Sequence, residues 1–416
     1  MSENQPREFD VVLGGNTPPP VTGVVLGGIE GVKRRLESEI VDVRVKALSD
    51  GLNYGNEGLD LVIQALEQNN KTIQRHAYKL LRRRQEKQVK QILEAYQPWY
   101  VFDRLSEHKV CKALRGEGFS NRQVVDYNPK IGITDPKNTA YKLRCNYDSR
   151  NSITEKLTNL LEDSQANKLE ALIIGEWGEA YDNDSSEIID TLVDVRNYLS
   201  NLKAIYIGDM DYDECEISWI RQSDISPILI AYPQLEILQV KGGDGLRFNE
   251  PLQHNNLRAL IVETGGLSSD TVNQICNMNL PRLLHLDLWF GSYEYGGDCS
   301  ISDIKPVVDD LIFPELNYLG LCNSEFSDDI AEAVVKSPLI ETISILNLSL
   351  GTLGDKGGEF LLNCAAVNEL DFLELTDNFL SEEMVNKLSA LDCQLLARYQ
   401  GKTDDEGEGR YCSVSE

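Results

Sequence analysis

The 416-residue sequence predicts an α/β solenoid, with a parallel sheet on its concave face and helices outside, preceded by a smaller all-α domain. Three observations predict it. The spacing apolar-x-x-apolar-x-apolar recurs eight times: Leu169/Leu172/Ile174, Leu202/Ile205/Ile207, Leu235/Leu238/Val240, Leu257/Leu260/Val262, Leu283/Leu286/Leu288, Leu316/Leu319/Leu321, Ile343/Leu346/Leu348 and Leu370/Leu373/Leu375. The eight starts lie 33, 33, 22, 26, 33, 27 and 27 residues apart, which brackets the period of leucine-rich repeats with three insertions. Between the strands, segments such as Asp328–Lys336 and Ser381–Leu388 carry helical spacing and return the chain on the outer side. A horseshoe over residues 169–395 follows, because each strand must send its leucine pair into one shared interior.

Taken in order, residues 1–28 form an extended arm. It holds an echo, Val12-Leu13-Gly14-Gly15 and Val25-Leu26-Gly27-Gly28, around Pro18-Pro19-Pro20. Glycine pairs and a proline triplet sustain neither a helix nor a central strand. Leu13, Gly14, Gly15, Leu26, Gly27 and Gly28 are therefore candidates for a docking or cleavage motif, although a plain linker explains them more simply.

Residues 29–105 turn helical. Val41, Val45, Leu48 and Leu52 share one face, as do Leu59, Val62, Ile63 and Leu66, then Ile73, Ala77, Leu80 and Leu81. A 30-residue echo aligns Val43-Arg44 and Ala47-Leu48 with Ile73-Gln74 and Ala77-Tyr78, which reads as two HEAT-like units. Residues 106–168 form a connector and N-terminal cap, in which Tyr141–Tyr147 alternates like a strand. Residues 396–416 form an acidic tail or cap.

Charge narrows the function. The net charge is -27, and residues 1–117 hold 18 Lys and Arg against 16 Asp and Glu, leaving 22 against 51 for the rest. So acidic a surface repels phosphate backbones, which argues against nucleic acid and for a basic protein partner. Nothing approaches an 18-residue apolar run, and no charged-then-apolar leader opens the chain, so a cytoplasmic protein without membrane contact is expected. Nine scattered cysteines without a CxxC pair fit reduced thiols, not a disulfide framework or zinc site.

Motifs for catalysis or cofactors fail on inspection. The run Asp209, Asp211, Asp213, Glu214, Glu216 has Glu214 where a calcium loop needs glycine and Ile220 where it needs a bidentate glutamate. Gly401-Lys402-Thr403 imitates a phosphate loop, but Leu396 stands where its first glycine belongs. His76, His108, His254 and His285 have no partner at metal-ligand or triad spacing. The one basic cluster, Arg82-Arg83-Arg84 with Lys79, Lys87 and Lys90, reads as a solvated helix face. No cofactor, metal or small-molecule substrate is expected.

Beyond the repeat itself, several phrases resemble a bacterial leucine-rich-repeat family of ribonuclease-inhibitor-like type over about residues 120–416. They include Glu216-Ile-Ser-Trp219-Ile220, Glu263-Thr-Gly-Gly-Leu267, Leu286-Asp-Leu-Trp289 with Tyr295-Gly-Gly297, Leu346-Asn-Leu-Ser-Leu-Gly-Thr-Leu353 and the closing Arg410-Tyr411. The Val-Leu-Gly-Gly echo and Gly28-Ile-Glu-Gly-Val-Lys-Arg-Arg-Leu36 resemble a HEAT-like leader of cyanobacterial proteins, covering about residues 8–105. The resemblance implies a modular adaptor without catalytic residues.

Period-two alternation places the partner-binding residues. Side chains flanking each buried leucine pair point into the concavity, and over the fifth to eighth strands they gather aromatics with carboxylates. The expected site is Tyr206, His285, Asp287, Trp289, Tyr318, Asn347, Phe372 and Glu374. Insertions such as Tyr293–Cys299 folding over these rings would instead make them core. The sequence thus reads as a non-catalytic protein-binding adaptor. An inhibitor or immunity-type regulator of a basic protein or nuclease is the first alternative, and a carboxylate-based hydrolase the second.

Overall fold

A computed structural model describes residues 27–416 apart from 69, 97–98, 106–108, 115–117, 146–151, 250–251 and 403–408. The chain separates into two compact units, with the boundary between Trp99 and Tyr100.

The first unit contains helices Gly28–Leu36, Val41–Gly51, Gly55–Ala65, Lys71–Arg82 and Lys87–Ala95. The apolar faces legible in the sequence meet here: Leu48, Leu59, Val62, Leu66, Ile73, Ala77 and Leu81 form one buried cluster. The 30-residue echo corresponds to the second and fourth of these helices. Asn70 caps the latter, its side-chain oxygen accepting from the Ile73 amide at 3.0 Å, which satisfies a donor the helix start leaves open. Gly28 opens the first helix at φ +73°, a left-handed conformation that glycine adopts at little cost. Leu13, Gly14, Gly15 and Leu26 of the expected arm motif lie outside the described residues.

The second unit is built on one twelve-stranded sheet whose strand order follows the chain. Its strands are β1 (Gly118–Phe119), β2 (Arg122–Asp126), β3 (Thr139–Leu143), β4 (Ala171–Ile174), β5 (Ala204–Ile207) and β6 (Ile237–Lys241). They continue with β7 (Ala259–Glu263), β8 (His285–Gly291), β9 (Tyr318–Ser324), β10 (Ile345–Asn347), β11 (Phe372–Glu374) and β12 (Gln394–Leu396). β1 and β2 pair antiparallel and every later pair is parallel.

All eight expected strands are present, as β4 to β11. Their middle residues Leu172, Ile205, Leu238, Leu260, Leu286, Leu319, Leu346 and Leu373 fall in register. Each is fully buried, in a single core running the length of the sheet. Parallel strands need a long crossover, and helices such as Ser186–Asp194, Ser269–Cys276, Ser327–Lys336 and Glu382–Leu388 supply it. The sheet extends beyond the expectation at both ends. Residues 106–168, read as connector and cap, contribute β1 to β3, and β12 lies at the start of the expected tail.

Strand exits repeat as regularly as strands. Asn323, Leu350, Asp377 and Tyr399, each four residues past its strand's middle leucine, all take left-handed φ between 51° and 66°. Asn378 knits two neighbouring turns: its amide donates to Leu348 O at 2.8 Å and Leu375 O at 3.1 Å, and its oxygen accepts from Leu353 N at 2.9 Å.

The segment Gly409–Glu416 runs back across these exits as a strap. Ser413 N donates to Leu350 O at 2.8 Å, Val414 N to Asn323 Oδ1 at 3.0 Å, and the Cys412 thiol to Asn323 O at 3.3 Å. Arg410 pairs with Asp328 at 3.0 Å. Tyr295 donates its hydroxyl proton to Glu416.

Candidate partner-binding face

The face of the sheet turned away from the helices carries the row expected from alternation. Tyr206, Gln239, Ile261, Asp287, Gly320, Asn347 and Glu374 stand in one register across β5 to β11. His285, Tyr318, Ile345 and Phe372 form the neighbouring row. The alternation therefore brings the expected site together.

The row is not left open, which corrects the sequence expectation of a free groove. Asp287 (0% exposed), His285 (1%), Tyr318 (2%) and Tyr206 (8%) are buried, and Trp289, Asn347, Phe372 and Glu374 are half-buried. The cover is Tyr100–Leu105, which the sequence assigned to the helical module. Tyr100 and Leu105 are buried in a cluster with Tyr318 and Ile345, against which Phe102 and Phe372 pack. Three large apolar side chains within six residues gain more by leaving water against this row than by staying in a solvated linker. The insertion Tyr293–Cys299 packs elsewhere, on Gly266 at the strand exits.

A second strand pair fixes the cover in place. The β1–β2 turn places Ser120 and Asn121 at φ 57° and 61°, the pairing of two left-handed residues that suits a tight hairpin. Asn121 then grips the segment: its side-chain oxygen accepts from Phe102 N at 2.5 Å, its amide donates to Tyr100 O at 2.9 Å, and its backbone N–H donates to Asp103 Oδ1 at 3.0 Å. Tyr100 donates its hydroxyl to Asp371 at 3.0 Å.

Arg104 is the chemical centre. Its guanidinium donates to Glu263 at 2.5 Å and to Asp287 at 3.0 Å, and lies 5.9 Å from the Trp289 ring centroid. Burial disfavours charge on Arg104 and on Glu263. The two carboxylates outweigh it and hold Arg104 above its ordinary range, and Arg104 and Lys241 in turn keep Glu263 below the usual glutamate value.

Around this pair the hydroxyls line up as donors. Tyr206 donates to Glu263 at 3.1 Å, Tyr318 to Asp287 at 3.3 Å, and Asn347 to the Tyr318 oxygen at 2.9 Å. His285 stacks on Tyr318 with centroids 3.7 Å apart and planes 9° from parallel. Burial, then the Arg104 charge, drives its pKa well below the ordinary histidine value, so it is a neutral ring. His285 Nε2 and Trp289 Nε1 are buried without a hydrogen-bond partner.

The arrangement holds the Arg104 guanidinium between two carboxylates and beside the Trp289 ring. Among the described residues no group of three His, Cys, Asp or Glu is placed to hold a metal ion. Sequence reading found the carboxylate and rings of this face but missed Glu263 as a member, and missed Tyr100, Arg104 and Asn121 altogether. Glu263 carried a signal, since alternation puts it in an outward row. Arg104 carried none beyond the aromatics Tyr100 and Phe102 shortly before it.

Together, the repeat, the parallel sheet and the helical returns define a leucine-rich-repeat solenoid. Neither a protein-family profile nor a curated protein matches the chain. Among solved structures, a Bacteroides fragilis protein is similar over 66% of this chain and 77% of its own, at 28% identity and a TM-score of 0.60. An internalin of Listeria monocytogenes aligns at 15% identity over 67% and 76% of the two chains, with a TM-score of only 0.28. A leucine-rich-repeat protein of Leptospira interrogans aligns at 13% identity over 74% and 83%, with a TM-score of 0.21. No helix among the described residues is long and apolar enough to cross a membrane.

Proposed function

We propose that the chain is a non-catalytic, cytoplasmic adaptor in which a HEAT-like leader is joined to a solenoid that recognises a protein. One observation carries the reading: the face formed by Tyr206, His285, Asp287, Trp289, Tyr318, Asn347, Phe372 and Glu374 already holds a short segment, with a single 3-10 turn over Phe102–Arg104, by its arginine and aromatic side chains. Tyrosine and tryptophan walls that receive an arginine have the composition of protein-recognition hot spots. The resident Tyr100–Leu105 leaves two buried polar atoms unsatisfied, so a partner segment that satisfies them competes for the same place.

The test uses a synthetic peptide of residues 99–105 as the incoming segment. It should bind a Tyr100→Ala/Phe102→Ala/Arg104→Ala variant, fail to bind wild type, and lose the variant when Asp287→Asn is added. A variant that keeps its helical and strand signature yet ignores the peptide would show that this face is sealed core.

The net charge favours a second reading, an inhibitor that blocks a basic protein or nuclease. Its association rate would fall steeply with salt, and loss of carboxylates would cost it more than loss of aromatics.

A further inference from the structure

The strand-exit side of the solenoid carries exposed aromatic rings that the sheet face does not use. Tyr212, Trp219 and Tyr293 are 65%, 59% and 77% exposed. Single exposed rings are ordinary, but these come from two loops seated on one two-glycine floor. A Cβ on Gly265 would lie 3.2 Å from Ile217 and Ser218, in the loop of Tyr212 and Trp219, and 2.6 Å from the Ser415 oxygen. A Cβ on the adjoining Gly266 would collide with the Tyr295 carbonyl, in the loop of Tyr293. Only glycine lets the two loops and the strap approach this closely.

Charge says what would cover the rings. The stretches 209–220, 292–298 and 411–416 contain eight carboxylate side chains and no lysine or arginine. Two of the eight are neutralised locally, Asp209 by Lys142 at 3.1 Å and Glu214 by Arg144 at 3.0 Å. Of the others, Glu416 accepts from the Tyr295 hydroxyl, and Glu216 and Glu416 both act on Tyr212 and both raise the Tyr295 hydroxyl pKa. A nucleic acid would be repelled, and no metal-holding group of three ligands occurs among the described residues. Cations satisfy both halves of the surface at once, resting on ring faces and pairing with carboxylates. The strap's bonds to Asn323 and Leu350 hold one wall in position, so little ordering is left to binding.

We propose that Tyr212, Trp219 and Tyr293, with Glu216, Glu294 and Glu416, form a docking surface for an extended lysine- or arginine-rich segment of a protein partner. This deepens the protein-binding reading but does not depend on the sheet face being accessible.

The experiment measures binding of a fluorescent (Arg-Gly)4 peptide to the full chain, with (Gln-Gly)4 as control. Trp219→Ala/Tyr293→Ala leaves net charge unchanged and should weaken binding about tenfold or more. Glu216→Gln/Glu294→Gln/Glu416→Gln should weaken it further. Glu187→Gln/Asp190→Asn/Asp194→Asn removes the same charge from an exposed helix face and should change it less than about twofold at physiological salt.

Undiminished binding by the aromatic variant, an equal loss in the helix variant, or no binding of the cationic peptide by wild type would each overturn the proposal. Trp289→Ala/Phe372→Ala separates the two surfaces. It should leave (Arg-Gly)4 binding intact, and if it alone abolishes binding, the exit surface is wrong while the sheet face stands.

Discussion

Arg104 and Asp287 lie 183 positions apart in sequence, yet the guanidinium donates at 3.0 Å to that fully buried carboxylate. The same guanidinium pairs with Glu263, so one cation is shared by two buried carboxylates. Loss of the shared arginine strands both carboxylates, desolvated and without that partner.

Arg104→Ala should therefore cost about 3–5 kcal/mol, far more than the surface contacts it removes. Arg104→Lys should recover part of this, keeping the charge but losing the fork that reaches both carboxylates. Adding Glu263→Gln and Asp287→Asn to Arg104→Ala should restore stability relative to the single variant. Urea midpoints of the four proteins decide it, and a loss below about 1 kcal/mol for Arg104→Ala would mean the triad contributes little.

Two buried histidines set a pH dependence. Burial lowers the pKa of both His285 and His254 below 6.5. Below pH 6.5 the unfolded chain takes up protons that the folded chain refuses, so stability is present above that value and is lost as pH falls through it. The limit is about 1.4 kcal/mol per pH unit for each histidine. Half-buried Asp209 and Glu374, whose carboxyls burial raises, act in the opposite sense, so the comparison must be between proteins. His285→Phe keeps the stack on Tyr318 and removes the proton site. Between pH 7.5 and 5.5 it should lose less stability than wild type, and an identical loss would exclude His285 as a contributor.

The strap makes a third prediction. Burial pushes the Cys412 thiol up to about 12, and it donates to Asn323 O and Gly291 O at 3.3 and 3.5 Å. It should resist a disulfide reagent at pH 8. Asn323→Ala removes both side-chain bonds to Val414 and puts alanine at φ 51°, costing about 2–4 kcal/mol and releasing the thiol. Peptide mapping after brief labelling checks this. Rapid modification of Cys412 in wild type would show that the strap is not seated.

How much was legible follows from range. Leu319 and its seven counterparts declared themselves because a strand's alternation repeats every two residues and its solenoid every two to three dozen. Local pattern therefore implies the global stack. The helices 41–51 and 71–82 were legible for the same reason, through the 30-residue echo. β3 was legible in part, as the alternation read over Tyr141–Tyr147, whereas β1 and β2 were not; Lys142 and Arg144 stand on the outward side of that run. They are tolerated through Asp209, Asp126 and Glu214, which lie elsewhere in the chain.

The sequence by itself determined the solenoid, the register of its central strands and which side chains line the sheet's outer face, because each is dictated by periodic burial of leucine. Only the tertiary structure decided that Tyr100–Leu105 occupies that face and that the C-terminal strap binds the strand exits. Both join distant, non-repeating segments, through fits such as that of one arginine to two carboxylates and of one asparagine to a passing backbone. No local pattern encodes a fit that exists only once the chain has folded.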